Sequence, residues 1–137
     1  MIYEVTIERL GTNAQGVTKK VKEQFLVNET LFSSAEFKVL EYQGQYSEGC
    51  EVVAMKRSRA VEMINKREDE DAYIYEATII RSTLDENTGV EKNTEYCVFL
   101  HAVSVQDATE KMTSYIGTSM FDEELKSVKK TKFIELI

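Results

Sequence analysis

The chain alternates before it does anything else. From Ile2 to Arg9 the apolar residues Tyr3, Val5 and Ile7 fall on one face and Glu4, Thr6 and Glu8 on the other, the period-two pattern of a half-buried strand. Gly11 to Gly16 reads as a turn, and Val17 to Val27 as a second strand carrying Val21, Phe25 and Val27 on one face, so the two form a hairpin. Ser33-Ser34-Ala35-Glu36 has the capping-box spacing, in which a hydroxyl accepts from an orphan helix amide and the glutamate reaches back. Ala35, Val39 and Tyr42 follow at helical spacing and predict one helix to about Gln43. A loop from Gly44 to Gly49 leads to a third extended segment, Val52 to Ile64.

The pattern then repeats. Ile2-Tyr3-Glu4-Val5-Thr6-Ile7-Glu8-Arg9 returns as Ile74-Tyr75-Glu76-Ala77-Thr78-Ile79-Ile80-Arg81, an offset of 72 that becomes 73 after the second turn. Ala35, Tyr42 and Gly44 match Ala108, Tyr115 and Gly117, and Glu51 to Ile64 lies over Glu124 to Ile137. A period this long, present twice, means a duplicated half and not a solenoid. The second half predicts strands over 74–81 and 90–100, a helix from about Ser104 to Ile116 and a last strand over 125–136. Ser104-Val105-Gln106-Asp107 offers that helix a shorter capping box.

Each half is therefore ββαβ. Its third strand runs parallel to the second, and a right-handed crossover gives the order 2-1-3. A three-stranded sheet with one helix leaves an open edge and a thin core, which pairing two halves would relieve. The expectation is an α+β fold: a mixed sheet of about six strands with two helices and pseudo-two-fold symmetry. It forms a single domain of two repeats, 2–64 and 74–137, joined by the acidic linker 65–73.

Size and composition fit this picture. A chain of 137 residues, 42% apolar and 30% charged, can bury a sizeable core. No apolar run approaches the roughly 18 residues of a membrane helix, and Glu4 and Glu8 interrupt any signal-peptide pattern. Cys50 and Cys97 occupy non-equivalent repeat positions, which disfavours a disulfide framework. The expected setting is the cytoplasm, with free thiols. The formal charge of −7 opposes non-specific attraction to nucleic acid or anionic membrane.

Candidate chemistry is sparse. Asp85, Asn87, Gly89 and Glu91 distantly echo a calcium loop, but Asp and Asn before Gly is also what a hairpin turn uses. Cys97 and His101 share a strand face four residues apart without a third group to orient them, which reads as a structural thiol and a surface histidine. Neither pattern supports an enzyme, a metal site or a cofactor. The third strands say more: Met55, Arg57, Arg59, Val61 and Met63 share a face, matched by Val128, Lys130, Lys132, Ile134 and Leu136. Arg57, Arg59, Lys130 and Lys132, with Tyr3 and Tyr75 beside them, would suit single-stranded nucleic acid, cations on phosphate and rings under bases. Salt bridging to Glu4, Glu8, Glu62 and Glu76 is the plainer account of the same cations.

Tyr3-Glu4, Lys19-Lys20-Val21, Phe25-Leu26-Val27, Phe32-Ser33-Ser34-Ala35-Glu36 and Val53-Ala54-Met55-Lys56-Arg57 carry a wider likeness. Tyr75-Glu76, Leu84-Asp85-Glu86, Gly89-Val90-Glu91-Lys92 and Val128 continue it through the second half. Over almost its full length the chain resembles an uncharacterised family of small proteins from Bacteroides-group bacteria and their phages, classed as a domain of unknown function. The resemblance implies a phage- or mobile-element-associated accessory protein and supplies no catalytic residues. The expected function is a non-enzymatic interaction module that docks an exposed sheet edge or acidic surface on a host protein, as a modulator or inhibitor. A nucleic-acid-binding protein is the alternative, less favoured. Homo-oligomerisation stays open.

Overall fold

The computed structural model describes residues 1–12, 14–44 and 49–137, with Thr12 described by its backbone alone. The predicted loop between Gly44 and Gly49 therefore lies, for residues 45–48, outside the described residues, as does Asn13 of the first turn. The chain divides into two compact units, Met1–Ser58 with Lys132–Ile137, and Arg59–Thr131.

In the first unit, β1 (Ile2–Thr12) and β2 (Thr18–Asn28) form the predicted antiparallel hairpin, with Tyr3 opposite Val27 and Ile7 opposite Glu23. Helix α1 (Phe32–Gln43) leads to β3 (Glu51–Arg57), antiparallel to β1. In the second unit β5 (Tyr73–Leu84), β6 (Glu91–Ala102), α2 (Val105–Gly117) and β7 (Asp122–Lys130) repeat the plan. The order 2-1-3 holds within each repeat.

The single sheet of about six strands does not form; there are two mixed four-stranded sheets, β3-β1-β2-β8 and β4-β6-β5-β7. The reason lies in the third segments. Val52–Ile64 and 125–136 each break near their middle, giving β3 and β4 (Ala60–Met63) in one case, β7 and β8 (Phe133–Leu136) in the other. The breaks follow the last rung of each ladder, where Ser58 N–H donates to the Ile2 carbonyl (2.8 Å) and Thr131 N–H to that of Ile74 (3.0 Å), at the residues where β1 and β5 begin or nearly begin and have no more strand to offer. Beyond its break each segment joins the sheet of the other repeat: β4 runs parallel to β6, and β8 parallel to β2. Each repeat thus lends its last strand to the other, and the far edge of each hairpin is covered.

The two cores are built at matching positions. Tyr3, Val5, Ile7, Phe25, Val27, Ala35 and Val39 pack in the first unit, and Tyr75, Ala77, Ile79, Val98, Leu100, Ala108 and Met112 in the second. Residues change size while positions stay: Val5 becomes Ala77 and Phe25 becomes Val98, whereas Val27 becomes Leu100 and Val39 becomes Met112. Volume lost at one place returns at another, the compensation a close-packed interior tolerates best.

The two helices start differently. The Oγ of Ser104 accepts from the Asp107 amide (3.1 Å), while the Asp107 carboxylate accepts from the Val103 amide (3.1 Å). That amide, and Lys111 beside it, hold the Asp107 carboxyl below its ordinary range. The Ser-x-x-Glu box of the first repeat does not form. The Phe32 ring meets the Tyr3 ring at a tilt (4.6 Å between centres, 51° between planes), and Leu31 stands at the N-cap, where no side chain caps the helix; Ser33 and Glu36 lie inside it.

Candidate functional site

The predicted basic face does not persist as a face, because the strand breaks interrupt its period. Arg57 ends β3 opposite Tyr3, and Lys130 ends β7 opposite Tyr75. Arg59 belongs to the second unit and pairs with Glu76 (3.3 Å), which Lys129 also approaches (4.0 Å). Lys130 lies 3.6 Å from the centre of the Tyr73 ring. Lys132, in the first unit, is exposed. Among the described residues, no ion pair or hydrogen bond engages the side chain of Arg57. Tyr3 and Tyr75 are not available for stacking: each is 3% exposed and belongs to its unit's core, and the Tyr3 hydroxyl donates to the Thr30 carbonyl (3.2 Å). They share a strand face with Val5 and Ile7, or with Ala77 and Ile79, so burying those residues buries the rings too.

The other candidates resolve into structure. The Asp85 carboxylate accepts from its own turn, from the amides of Asn87 (2.9 Å) and Thr88 (3.3 Å), with Gly89 at positive φ closing the hairpin. Among the described residues, no group of three or more His, Cys, Asp or Glu side chains is placed to hold a metal ion. His101 is buried, not on the surface. Asn65 straps it: the Asn65 amide donates to the His101 carbonyl (2.9 Å) and accepts from its N–H (2.6 Å), and Nδ1 lies 3.3 Å from the Asn65 carbonyl. Cys97 contacts the Thr78 hydroxyl (3.5 Å).

A twinned feature lies beyond the alternation and helical spacing of the sequence. Each unit has a hollow where the core face of its sheet runs out beneath the end of its helix. The first, about 530 Å³, is lined by Arg9, Glu23, Phe25, Tyr42, Gln43 and Ile134. The second, about 500 Å³, is lined by Val61, Glu62, Arg81, Thr94, Tyr96 and Tyr115. Arg9 and Arg81, Tyr42 and Tyr115, and Ile134 and Val61 are repeat equivalents. The recurrence of Arg9 as Arg81 was the available signal, since a cation that continues the buried face of Tyr3, Val5 and Ile7 demands an anion.

The two arginines find that anion in different places. Arg9 pairs with Glu23 across the hairpin, beside the buried Cys50. Burial pushes the Cys50 thiol up, with Arg9 opposing and Glu23 assisting. In the second unit Tyr96 stands where Glu23 would, and the carboxylate moves to Glu123, the equivalent of Cys50. Arg81 Nε donates to Glu123 (3.3 Å), and the guanidinium lies 4.0 Å from the Phe121 ring centre and 5.0 Å from that of Tyr96. Tyr96 donates its hydroxyl to the same carboxylate. Burial alone would raise the Glu123 carboxyl, but donors from Ser119, Tyr96 and Arg81 outweigh it and hold it below the usual range. Tyr115 donates to Glu62 (2.7 Å), and burial followed by that bond pushes its hydroxyl up to about 12. These are filled networks in which every charge has a partner, and they close the open end of each core.

The outer face of α1 is the opposite case. Phe37 stands on the helix across from the buried Ala35 and Val39 and is 68% exposed; Leu31, at the N-cap, is 60% exposed. Ser33 and Ser34, one turn before Phe37, leave a hollow of about 450 Å³ between Glu29, Phe37, Lys38 and Glu41. Lys38 is taken by Glu29 (3.5 Å) and the Asn28 carbonyl (3.4 Å). Among the described residues, no ion pair engages Glu36 or Glu41. The equivalents of Leu31 and Phe37 on α2 are Ser104 and Glu110. At the bulge of the edge strand, where β7 carries Lys126, β3 carries the exposed Val53.

The chain belongs to the family described as Domain of unknown function (DUF4494), which matches residues 1–137. No curated protein matches the chain.

Proposed function

We propose that the protein is a non-enzymatic interaction module that docks on another protein through the outer face of α1. One observation carries the reading. Helix α1 makes two concessions that its duplicate α2 does not make. It forgoes a side-chain cap, worth about 1 kcal/mol, by placing Leu31 where α2 has Ser104. It also presents Phe37 to water where α2 presents Glu110. The fold itself needs neither residue, since the same ββαβ frame is built without them. Departures from local consistency that the duplicate helix avoids are what a binding site leaves behind. The edge of β3 carries a separate exposed apolar residue of the same unit, Val53. An accessory protein of a phage or mobile element acting on a host protein is the setting that suits this reading.

Nucleic-acid binding is the weaker alternative. With Tyr3 and Tyr75 buried, the stacking half of that mechanism has lost its rings. Binding to an oligonucleotide at low salt, abolished by Arg57→Ala with Lys132→Ala, would restore it.

The test gives α1 the surface of α2. A photo-crosslinker at position 37 in the native host should capture a protein partner, and the same probe at position 110 should not. The variant Leu31→Ser/Phe37→Glu should lose that partner in co-purification while folding at least as stably as the wild type. Capture of equal strength from positions 37 and 110 refutes the proposal.

A further inference from the structure

We infer that the partner presents to α1 a basic amphipathic helix, whose apolar side covers Phe37 and whose lysines or arginines pair with Glu36 and Glu41. The inference rests on the docking role just proposed and adds the chemistry of what docks. Three features of the ridge carry it. Phe37 projects from the middle of α1 as a single knob, and the small side chains of Ser33 and Ser34 one turn earlier leave the hollow beside it, which an apolar side chain of a crossing helix fills. The charges around the knob are of one sign once Lys38 is spent on Glu29. Glu36, next to Phe37, and Glu41, one turn on, have no ion-pair partner among the described residues and are exposed. The whole chain, at −7, adds attraction for a basic segment and repels an acidic one, a second copy of itself included.

The protein contains no Trp, so a probe peptide carrying one reports binding by its own fluorescence. The probe is a short amidated peptide with Leu at helical spacing on one face, one Trp beside them and Lys on the other face. Its twin replaces every Lys with Glu. The full-length protein should bind the Lys peptide about tenfold or more tighter than the Glu peptide at low salt, two ion pairs at the rim being worth about that factor. The preference should shrink at an ionic strength above about 0.15 M. Phe37→Glu should weaken binding of the Lys peptide at least about fivefold, by removing the knob. Glu36→Lys/Glu41→Lys, at two exposed positions the fold does not use, should reverse the preference toward the Glu peptide.

Failure to bind either peptide, equal binding of both, or a preference unchanged by the double charge reversal overturns the inference. These outcomes are separable from failure of the docking role, which is read by position-37 capture in the native host. Capture that depends on Phe37, together with indifference to peptide charge, would leave the role standing and remove the basic partner.

Discussion

Restoring the missing cap on α1 should stabilise the protein, by an amount set by the local geometry. Leu31 already has the extended backbone an N-cap needs, φ −125° and ψ 148°, close to the −156° and 168° of Ser104 on α2. The Ala35 N–H donates to the Leu31 carbonyl (3.1 Å) as that of Ala108 does to Ser104 (2.9 Å), so no backbone movement is required. In Leu31→Ser the new hydroxyl accepts from the Ser34 amide, the position Asp107 holds on α2. The gain is about 1 kcal/mol, the usual value of one such cap. Little opposes it, because Leu31 is largely in water. Adding Ser34→Asp supplies the acidic first turn that α2 has and α1 lacks, and should contribute a further ~0.5 kcal/mol through the helix dipole. With an unfolding entropy of about 2 cal/mol/K per residue over 137 residues, 1 kcal/mol raises Tm by about 3–4 °C. Urea denaturation followed by far-UV circular dichroism measures both variants, with the m-value as a check that the denatured state is unchanged. The added part from Ser34→Asp should vanish once the carboxylate is protonated at low pH. A Leu31→Ser protein no more stable than the wild type would refute the reasoning, because the cap would then be absent for a cause other than the missing oxygen.

Two further outcomes follow from the second unit's network. The Tyr115 pKa, raised from 10.0 to about 12, is higher folded than unfolded, so its contribution is complete below about pH 10 and is lost as pH rises toward 12. Glu62→Gln should bring the tyrosinate titration of Tyr115 back toward 10, followed by absorbance against Tyr115→Phe; an unmoved titration would detach Glu62 from it. Glu123, 2% exposed in its side chain, has a depressed pKa, so its contribution is complete above the ordinary glutamate range and is lost as pH falls through the folded-state value. Glu123→Gln keeps the shape and removes the charge, which should cost about 1–2 kcal/mol at neutral pH and converge on the wild type in acid. A penalty independent of pH would show that packing, not charge, sets the role of Glu123.

Much of the frame was legible because duplication wrote it twice. The hairpins, the helices and the order 2-1-3 follow from alternation, helical spacing and crossover handedness. The exchange of β4 and β8 was not legible, because Val52–Ile64 keeps its alternation through Arg57-Ser58-Arg59 with no glycine or proline to mark a break. The pairing ends where β1 and β5 themselves begin, a limit set by the partner strand and invisible in the patterning of the third segment. The burial of Tyr3 and Tyr75 has a plainer reason. Period two already placed Tyr3 with Val5 and Ile7, and a residue on the core side of a half-buried strand has no exposed ring to offer. The capping box was misleading because the helix begins two residues before Ser33, with Leu31 at the N-cap, so Ser33 and Glu36 fall inside it instead of at its start. Phe37 was hidden by the same helical spacing that revealed Ala35 and Val39, for a wheel shows which residues face out but not whether the duplicate helix does without them.

The lending of a strand by each repeat makes a reciprocal clasp. A protease cut between residues 65 and 71 would yield one fragment that still holds β4 in the second unit's sheet and another that still holds β8 in the first. Severing the covalent tie there would leave the pieces engaged, running as one species under native conditions and as two only once denatured. Neither half could be shed in evolution without stripping a strand from the half that remained.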